Sequence, residues 1–226
     1  MLPVEARTSQ SMDRKKHWER VFRDKAPDSV SWYQRHPEVS LALIAASGID
    51  KDAGIIDIGG GASVLVDHLL DLGYRNLAVL DLSVAPMDSS RSRLGARAAS
   101  VEWFAGDVTE FEPPRRFALW HDRALFHFLT DAEDLARYVS TLRKSLQPDG
   151  TAIIATFAPD GPPKCSGLDV VRYDEASIAH ELGECLQLLE VRREMHMTPW
   201  QTAQSFNYFR FKRTAAPNCL ARAHRA

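Results

Sequence analysis

The sequence predicts an α/β fold, a mostly parallel sheet with helices on both faces, and three observations carry that prediction. Residues 54 to 63 read Gly-Ile-Ile-Asp-Ile-Gly-Gly-Gly-Ala-Ser, a short β-branched run that breaks into three glycines. This is the pattern of a buried parallel strand ending in a tight turn. Val64, Leu65, Leu69 and Leu72 then share one side of a helix that Gly73 stops, so strand, glycine turn and helix make half of a nucleotide-binding βαβ unit. Further apolar runs at 77–81, 101–104, 117–120 and 151–157 alternate with helical stretches, the rhythm of strands joined by crossover helices.

At 226 residues the chain suits one α/β domain with ordered extensions and is short for two. Hydrophobic residues make up 45% and charged residues 26%, the balance of a soluble globular protein. The net charge of −2 offers no basic footprint, which disfavours a nucleic-acid partner. Cys165, Cys185 and Cys219 are widely spaced, without a C-x-x-C pair, so no metal is expected and the thiols are expected to be reduced. No apolar run is long enough to cross a bilayer and no signal peptide is evident, which leads to the expectation of a cytoplasmic protein without membrane contact. Oligomeric state is not legible.

The expected organisation is a flexible N-terminus over 1–11, a helix and aromatic segment over 12–36, one domain over 37–212 and a flexible tail over 213–226. Ser11 or Asp13 can cap a helix to about Lys25, with Trp18, Val21 and Phe22 on one face at helical spacing. Pro27 ends it, and Val30-Ser31-Trp32-Tyr33-Gln34 follows without periodicity. Two adjacent aromatics on a linker need a surface to cover, so Trp32 and Tyr33 are assigned to a lid or an anchor. Pro37 opens a helix to about Gly48. After the strand and helix at the glycine turn come a second strand at Leu77–Asp81, a helix at about Val84–Ala98 and a third strand at Val101–Phe104. Phe117–Trp120 is the fourth strand, Asp131 caps a long helix, Thr151–Phe157 is the fifth strand, and a loop rich in Pro and Gly over 158–168 carries Cys165. A short helix at Glu175–Leu182 precedes closing strands at Leu186–Val191 and Ser205–Phe211, the last alternating with period 2.

Two ligand classes fit the glycine turn. A dinucleotide fingerprint wants Gly or Ala at its third position, where this chain has Val64, and Asp57 would repel a pyrophosphate. Asp57 instead suits a cationic ligand. Asp81 lies about 20 residues beyond the turn, where a carboxylate accepts hydrogen bonds from both ribose hydroxyls of a nucleoside. An NAD enzyme would use the same device.

Asp57-Ile58-Gly59-Gly60-Gly61, together with acids after the second and third strands at Asp81 and Asp107, resembles the class I S-adenosylmethionine-dependent methyltransferases. The resemblance runs from about Asp13 to Lys212. It implies a Rossmann-like seven-stranded sheet with its last strand antiparallel, S-adenosyl-L-methionine as cofactor and S-adenosyl-L-homocysteine as product. Its implied cofactor residues are Asp57, Gly59, Gly60, Gly61, Asp81, Leu82, Asp107, Val108 and His121, with Asp107 on the adenine amino group and Val108 against the ring. The end of the fourth strand in this family lies beside the methionine part of the cofactor and the substrate. There His127, four residues after Arg123, is a candidate base or a packed structural histidine, and Asp122 and Arg123 form an ion pair or orient an anionic substrate. Asn or Asp-Pro-Pro-aromatic, typical of amide and adenine methylation, is absent from this place. A small-molecule thiol or carboxylate is the favoured acceptor, with Trp32, Tyr33 and Cys165 at the lid or substrate. The alternatives are a protein lysine N-methyltransferase and a nucleoside- or NAD-binding module without methyl transfer.

Overall fold

A computed structural model describes residues 4–214, with side chains from Asp13 onward. Its centre is β1 (Ile55–Ile58), flanked by β2 (Leu77–Asp81) and β4 (Phe117–Arg123), then β3 (Val101–Ala105) on one side and β5 (Leu146–Phe157) on the other. The closing hairpin of β8 (Leu186–Met197) and β9 (Ala203–Arg213) completes a seven-stranded sheet in the order β3-β2-β1-β4-β5-β9-β8. The β1 to β5 pairings are all parallel, and β9 runs antiparallel to both its neighbours. A two-stranded hairpin of β6 (Lys164–Cys165) and β7 (Leu168–Asp169) stands apart.

Every residue of β1 and β2 is buried, as a sheet covered on both faces requires. The pleat sends alternate side chains to opposite layers. Ile56, Ile58, Ala78, Leu80, Trp120 and Ile154 face one core, shared with Tyr138 and Leu142 of α5 (Ala132–Ser145) and Ile178 and Leu182 of α6 (Glu175–Leu182). Ile55, Leu77, Val79, Leu119 and Ile153 face the other, shared with Leu43 and Ile44 of α2 (Glu38–Ala46), Leu65 and Leu69 of α3 (Leu65–Asp71) and Leu94 of α4 (Val84–Leu94). The chain steps outward from β1 to β3 and returns to β4, so the strand order reverses beside β1. A crevice forms outside the carboxyl ends at such a switch point.

Several boundaries differ from the sequence reading. The first helix, α1 (Val4–Asp24), includes residues 4–11, which were expected to be loose; the rest of the expected flexible ends lies largely outside the described residues. The helix expected to reach Ala98 stops at Leu94, because Gly95 adopts φ +58° and a 3₁₀ turn follows. β3 gains one residue, and β4, β5, β8 and β9 are longer than expected by two or more. Their ends are polar and gain strand geometry from cross-strand pairing, which leaves no hydrophobic periodicity to read. The loop at 158–168 contains half of the small hairpin. Asp131 does cap α5, accepting from the N–H groups of Glu133 and Asp134, and Asp174 closes a capping box with Ser177 at α6. No helix among the described residues is long and apolar enough to cross a membrane.

Within the α5 layer, a fully buried chain of hydrogen bonds links Trp120 Nε1 to the Tyr138 hydroxyl (2.9 Å) and that hydroxyl to Asp122 Oδ2 (2.6 Å). Removing the hydroxyl strands two buried polar groups, a loss of about 1–3 kcal/mol for each. Tyr138→Phe should therefore lower the urea unfolding midpoint, and an unchanged midpoint would show that the chain contributes nothing.

Candidate active site

Two adjoining pockets open at the carboxyl ends of β1, β2 and β4, roofed by α1 and the segment that follows it. The glycine turn is shaped by what surrounds it. Gly59 has φ +69°, a left-handed conformation that favours glycine. A Cβ at Gly60 would stand 2.3 Å from Asp57 Oδ2, and one at Gly61 2.6 Å from Asp81 Oδ2. The glycines therefore let two carboxylates lie directly against the turn.

Asp81 is held by two backbone donors, Gly61 N–H to Oδ2 (3.0 Å) and Ser83 N–H to Oδ1 (2.9 Å). Burial pushes its pKa up to about 6, partly offset by those donors, while the nearby negative charge of Asp57 adds to the rise. Asp81, Leu82, Asp107 and Val108 all line the first pocket. Asp107 is already engaged: Oδ1 accepts from Thr109 N–H and Oγ, and Oδ2 accepts from Arg14 Nη2 at 3.0 Å. Arg14 also reaches Asp134 at the start of α5, so it pins α1 across the adenine side expected at Asp107.

The second pocket is lined by Asp57, Gly59, Gly60, His121, Arg123 and Tyr33 among others. Asp57 Oδ1 bonds His121 Nδ1 at 2.7 Å, and His121 Nε2 lies 2.9 Å from Ser40 Oγ. Arg123 donates through Nε to the Tyr208 hydroxyl and through Nη1 to the Trp32 carbonyl, both at 2.7 Å, and its guanidinium lies over the Phe206 ring. Glu194 stands 3.8 Å from Arg123 Nη2, beyond hydrogen-bonding reach. Two buried polar atoms here have no hydrogen-bond partner among the described residues: Asp57 Oδ2 and Arg123 Nη2.

An orphan acceptor of negative charge and an orphan donor of positive charge in one pocket complement the ammonium and carboxylate of an α-amino acid. With Asp81 placed for ribose hydroxyls in the adjoining pocket, the residues fit S-adenosylmethionine. They would hold its methionyl end at Asp57 and Arg123 and its nucleoside at Asp81. A pyrophosphate beside Asp57 would meet like charge instead. Among the described residues no group of three or more His, Cys, Asp or Glu could hold a metal ion.

Three candidates lie elsewhere. His127 is fully buried and lines neither pocket. Its Nδ1 accepts from Phe157 N–H, its ring packs against Phe128 and Phe157, and burial, with the charge of Arg123 adding, lowers its pKa to about 3. A neutral ring walled in by phenylalanines is a packed structural histidine rather than the expected base. It shares no helix face with Arg123, because Ala124 turns through φ 68° between strand and 3₁₀ turn. Asp122 is likewise fully buried and absent from both linings; besides Tyr138 it accepts from the N–H groups of Leu125 and Phe126, so it organises the turn after β4. It makes neither the expected ion pair with Arg123 nor a contact with the pockets. Cys165 is a free thiol buried near Ser31, its pKa raised to about 11 by burial, and it lines neither pocket. Cys185 is disulfide-bonded, so the expectation of wholly reduced cysteines fails there.

The sequence reading missed Arg14, Ser40, Glu194 and Tyr208 as members of the site's polar network. Each is joined to its partner by a long-range side-chain contact, which no local spacing announces. Trp18, Phe22 and Phe128 line the first pocket with Trp32. The first two were visible only as an amphipathic face.

The fold and these pockets define a Rossmann-like nucleoside-binding enzyme. Residues 55–150 match the family model described as a methyltransferase domain, and the fold is the Rossmann-like one that S-adenosylmethionine-dependent methyltransferases share. It is 26% identical over 165 residues to the "eEF1A lysine and N-terminal methyltransferase" of Mus musculus, covering 70% of this chain and 23% of that protein, and 26% identical to the Homo sapiens counterpart with the same coverage. The chain thus spans about a quarter of the length of these curated relatives. A solved Burkholderia thailandensis 1,6-didemethyltoxoflavin-N1-methyltransferase with bound S-adenosylhomocysteine shares the fold at TM-score 0.68 and 21% identity, covering 95% of this chain and 91% of that one. A structure described under the conversion of a disulfide bond into a thioacetal group during echinomycin biosynthesis aligns at TM-score 0.70 and 19% identity, covering 88% and 93%.

Asp81→Ala should weaken S-adenosylmethionine binding at least tenfold, since a hydrogen bond to a charged group contributes about 1.5–3 kcal/mol. Because Asp81 is an acid with a pKa of about 6, its ionised fraction falls as pH drops through that value. Affinity should therefore decline from pH 7.5 to 5.5, and the part of the decline due to Asp81 should vanish in the variant. Calorimetry at both pH values checks this; unchanged affinity in a folded variant contradicts the ribose contact.

Proposed function

We propose that this protein is an S-adenosylmethionine-dependent methyltransferase acting on a small-molecule nucleophile, a thiol or a carboxylate, held in the chamber beneath the N-terminal arm. The observation that carries this reading is the aromatic roof. Trp18 packs edge-on against Trp32 (5.7 Å between centroids) and Phe128 (5.1 Å), and Phe22 packs against Trp32 (6.2 Å). These four rings line the first pocket together with Ile58, Leu80 and Leu129, and because the same pocket has to take the cofactor's nucleoside beside Asp81, the apolar space left under the roof suits a small ligand.

The charges in that chamber favour the same class. Its described ionisable lining residues are Arg14, Asp81, Asp107 and Arg123, with no histidine, lysine or cysteine. Asp81 and Asp107 already accept hydrogen bonds from protein donors. A carboxylate arrives ionised near neutral pH and a thiol is partly so, and neither makes a strong demand on a general base. S-adenosylmethionine, when bound, supplies an electrophilic methyl group. The chain's own residues align the partners, exclude water and fix the cofactor's ends, and alignment with desolvation is the part of the barrier they lower.

A protein amine acceptor is the second reading, favoured by relatives that carry lysine and N-terminal methyltransferase in their names. Such an amine must lose a proton before it attacks. Incubating the enzyme with labelled cofactor and, separately, thiols, carboxylic acids and cell protein divides the two: label in a small acceptor supports the proposal, and label confined to protein overturns it.

The roof also predicts that the arm closes over the occupied site. Deleting residues 1–34 should reduce turnover far more than it reduces the stability of the sheet, and S-adenosylhomocysteine should protect the Lys25–Arg35 stretch from limited proteolysis. Equal cleavage with and without ligand, together with normal activity of the truncated enzyme, would leave Trp32 and Tyr33 as a simple anchor.

A further inference from the structure

We infer that Ser40 and His121 are positioning residues that act on the cofactor's methionyl ammonium through Asp57. The inference deepens the cofactor assignment and rests on Asp57 meeting that ammonium. Three elements bring the residues together. β1 and β4 pair in a register that sets Asp57 directly beside His121, so both side chains leave the sheet on the same face. On that face lies α2, whose Leu43 and Ile44 share a buried core with Ile55 and Leu119 and whose first turn carries Ser40.

The result is a closed chain of hydrogen bonds, Ser40 Oγ to His121 Nε2 at 2.9 Å and His121 Nδ1 to Asp57 Oδ1 at 2.7 Å. Exposure of the three residues is 1%, 2% and 4%, so water does not compete for these contacts. With a neutral imidazole the donors run in one direction: the Ser40 hydroxyl donates to Nε2, which places the ring proton on Nδ1, and Nδ1–H donates to Asp57. The residue types are those of a nucleophilic triad, yet the open end here is the carboxylate, since Oδ2 is the atom without a partner.

Geometry makes that open end directional. His121 holds Oδ1, while the missing Cβ of Gly60 leaves room for Oδ2 against the turn, 2.3 Å from where a Cβ would stand. A carboxylate anchored at one oxygen presents the other without searching rotamers, so less freedom is lost on binding. Remove the anchor and Asp57 can rotate. The affinity that disappears belongs to the ammonium end of the ligand alone.

Two probes separate this role from simple packing: S-adenosylhomocysteine, which carries the ammonium, and 5′-methylthioadenosine, which has the nucleoside and thioether but no amino acid end. Calorimetry should show S-adenosylhomocysteine affinity falling about tenfold or more in His121→Phe and about two- to tenfold in Ser40→Ala, with methylthioadenosine affinity changed less than about twofold. His121→Asn keeps an N–H near Nδ1 and should restore most of the loss; in that background Ser40→Ala should add nothing, because no Nε2 remains to receive the hydroxyl. Should His121→Phe fail to fold, Ser40→Ala and His121→Asn carry the same comparison. Equal loss for both probes, or additive losses in the double variant, would mean a structural role and overturn the inference. Asp57→Asn tests the premise: if it binds S-adenosylhomocysteine normally, the ammonium contact is wrong and the inference falls with it. If Asp57→Asn weakens binding while His121→Phe and Ser40→Ala do not, the inference alone is overturned.

Discussion

Two carboxylates held against a glycine turn set the terms for the rest of this site. Asp57 ends one buried strand and Asp81 the next, and each presses an oxygen into space that a side chain at Gly60 or Gly61 would fill. Burial disfavours the charged form, which is visible in the raised pKa of Asp81. The turn meets that cost with aimed donors: backbone N–H groups for Asp81 and the ring of His121 for Asp57. What remains uncompensated is one oxygen of Asp57. That oxygen suits a cation, and in the cofactor assignment proposed above the methionyl ammonium is the cation it would meet.

A second set of contacts ties the arm to the catalytic face. Ser31 gives its carbonyl to His196 Nε2 (2.7 Å), Trp32 gives its carbonyl to Arg123, and Gln34 donates to Glu194 Oε1 (2.7 Å). Glu194 in turn accepts from the Tyr208 hydroxyl, which accepts from Arg123. The arm therefore lands on the β8–β9 hairpin and the end of β4 at once. Arg14 fixes the other end of the roof, between Asp107 and Asp134. Apolar rings fill the middle, so the roof combines polar latches at its edges with a dry centre.

The framework was legible in the sequence because its signals are local. The β-branched run before Gly59, the acids closing β1 and β2, and the caps at Asp131 and Asp174 each follow from a few adjacent residues. The ends of β8 and β9 were not legible, since Arg192, Arg193 and His196 are polar and owe their strand geometry to pairing with Tyr208, Asn207 and Gln204. The site divided along the same line. Spacing pointed to Asp57, Gly59 and Asp81, which line the pockets, whereas Arg14 and Ser40 reach their partners from 93 and 81 residues away. His127 shows the opposite error: its type and position beside Arg123 suggested a base, but the φ 68° at Ala124 sends it into the core.

Arg123 ties the arm to the pocket floor, where the proposed cofactor assignment puts the methionyl carboxylate. Nη1 is committed to the Trp32 carbonyl and Nε to Tyr208, while Nη2 is buried and makes no hydrogen bond, its only nearby carboxylate among the described residues being Glu194 at 3.8 Å. A carboxylate on Nη2 thus adds to the arm contact without displacing it, and both fix the same guanidinium plane. Ordering that plane once serves both interactions, so the second to form loses less side-chain entropy than it would alone. Coupling of this kind is reciprocal: whatever closure of the arm contributes to cofactor binding, the cofactor must return to closure. The aromatic roof and the charged floor are in this sense one device, joined through a single arginine at the end of β4.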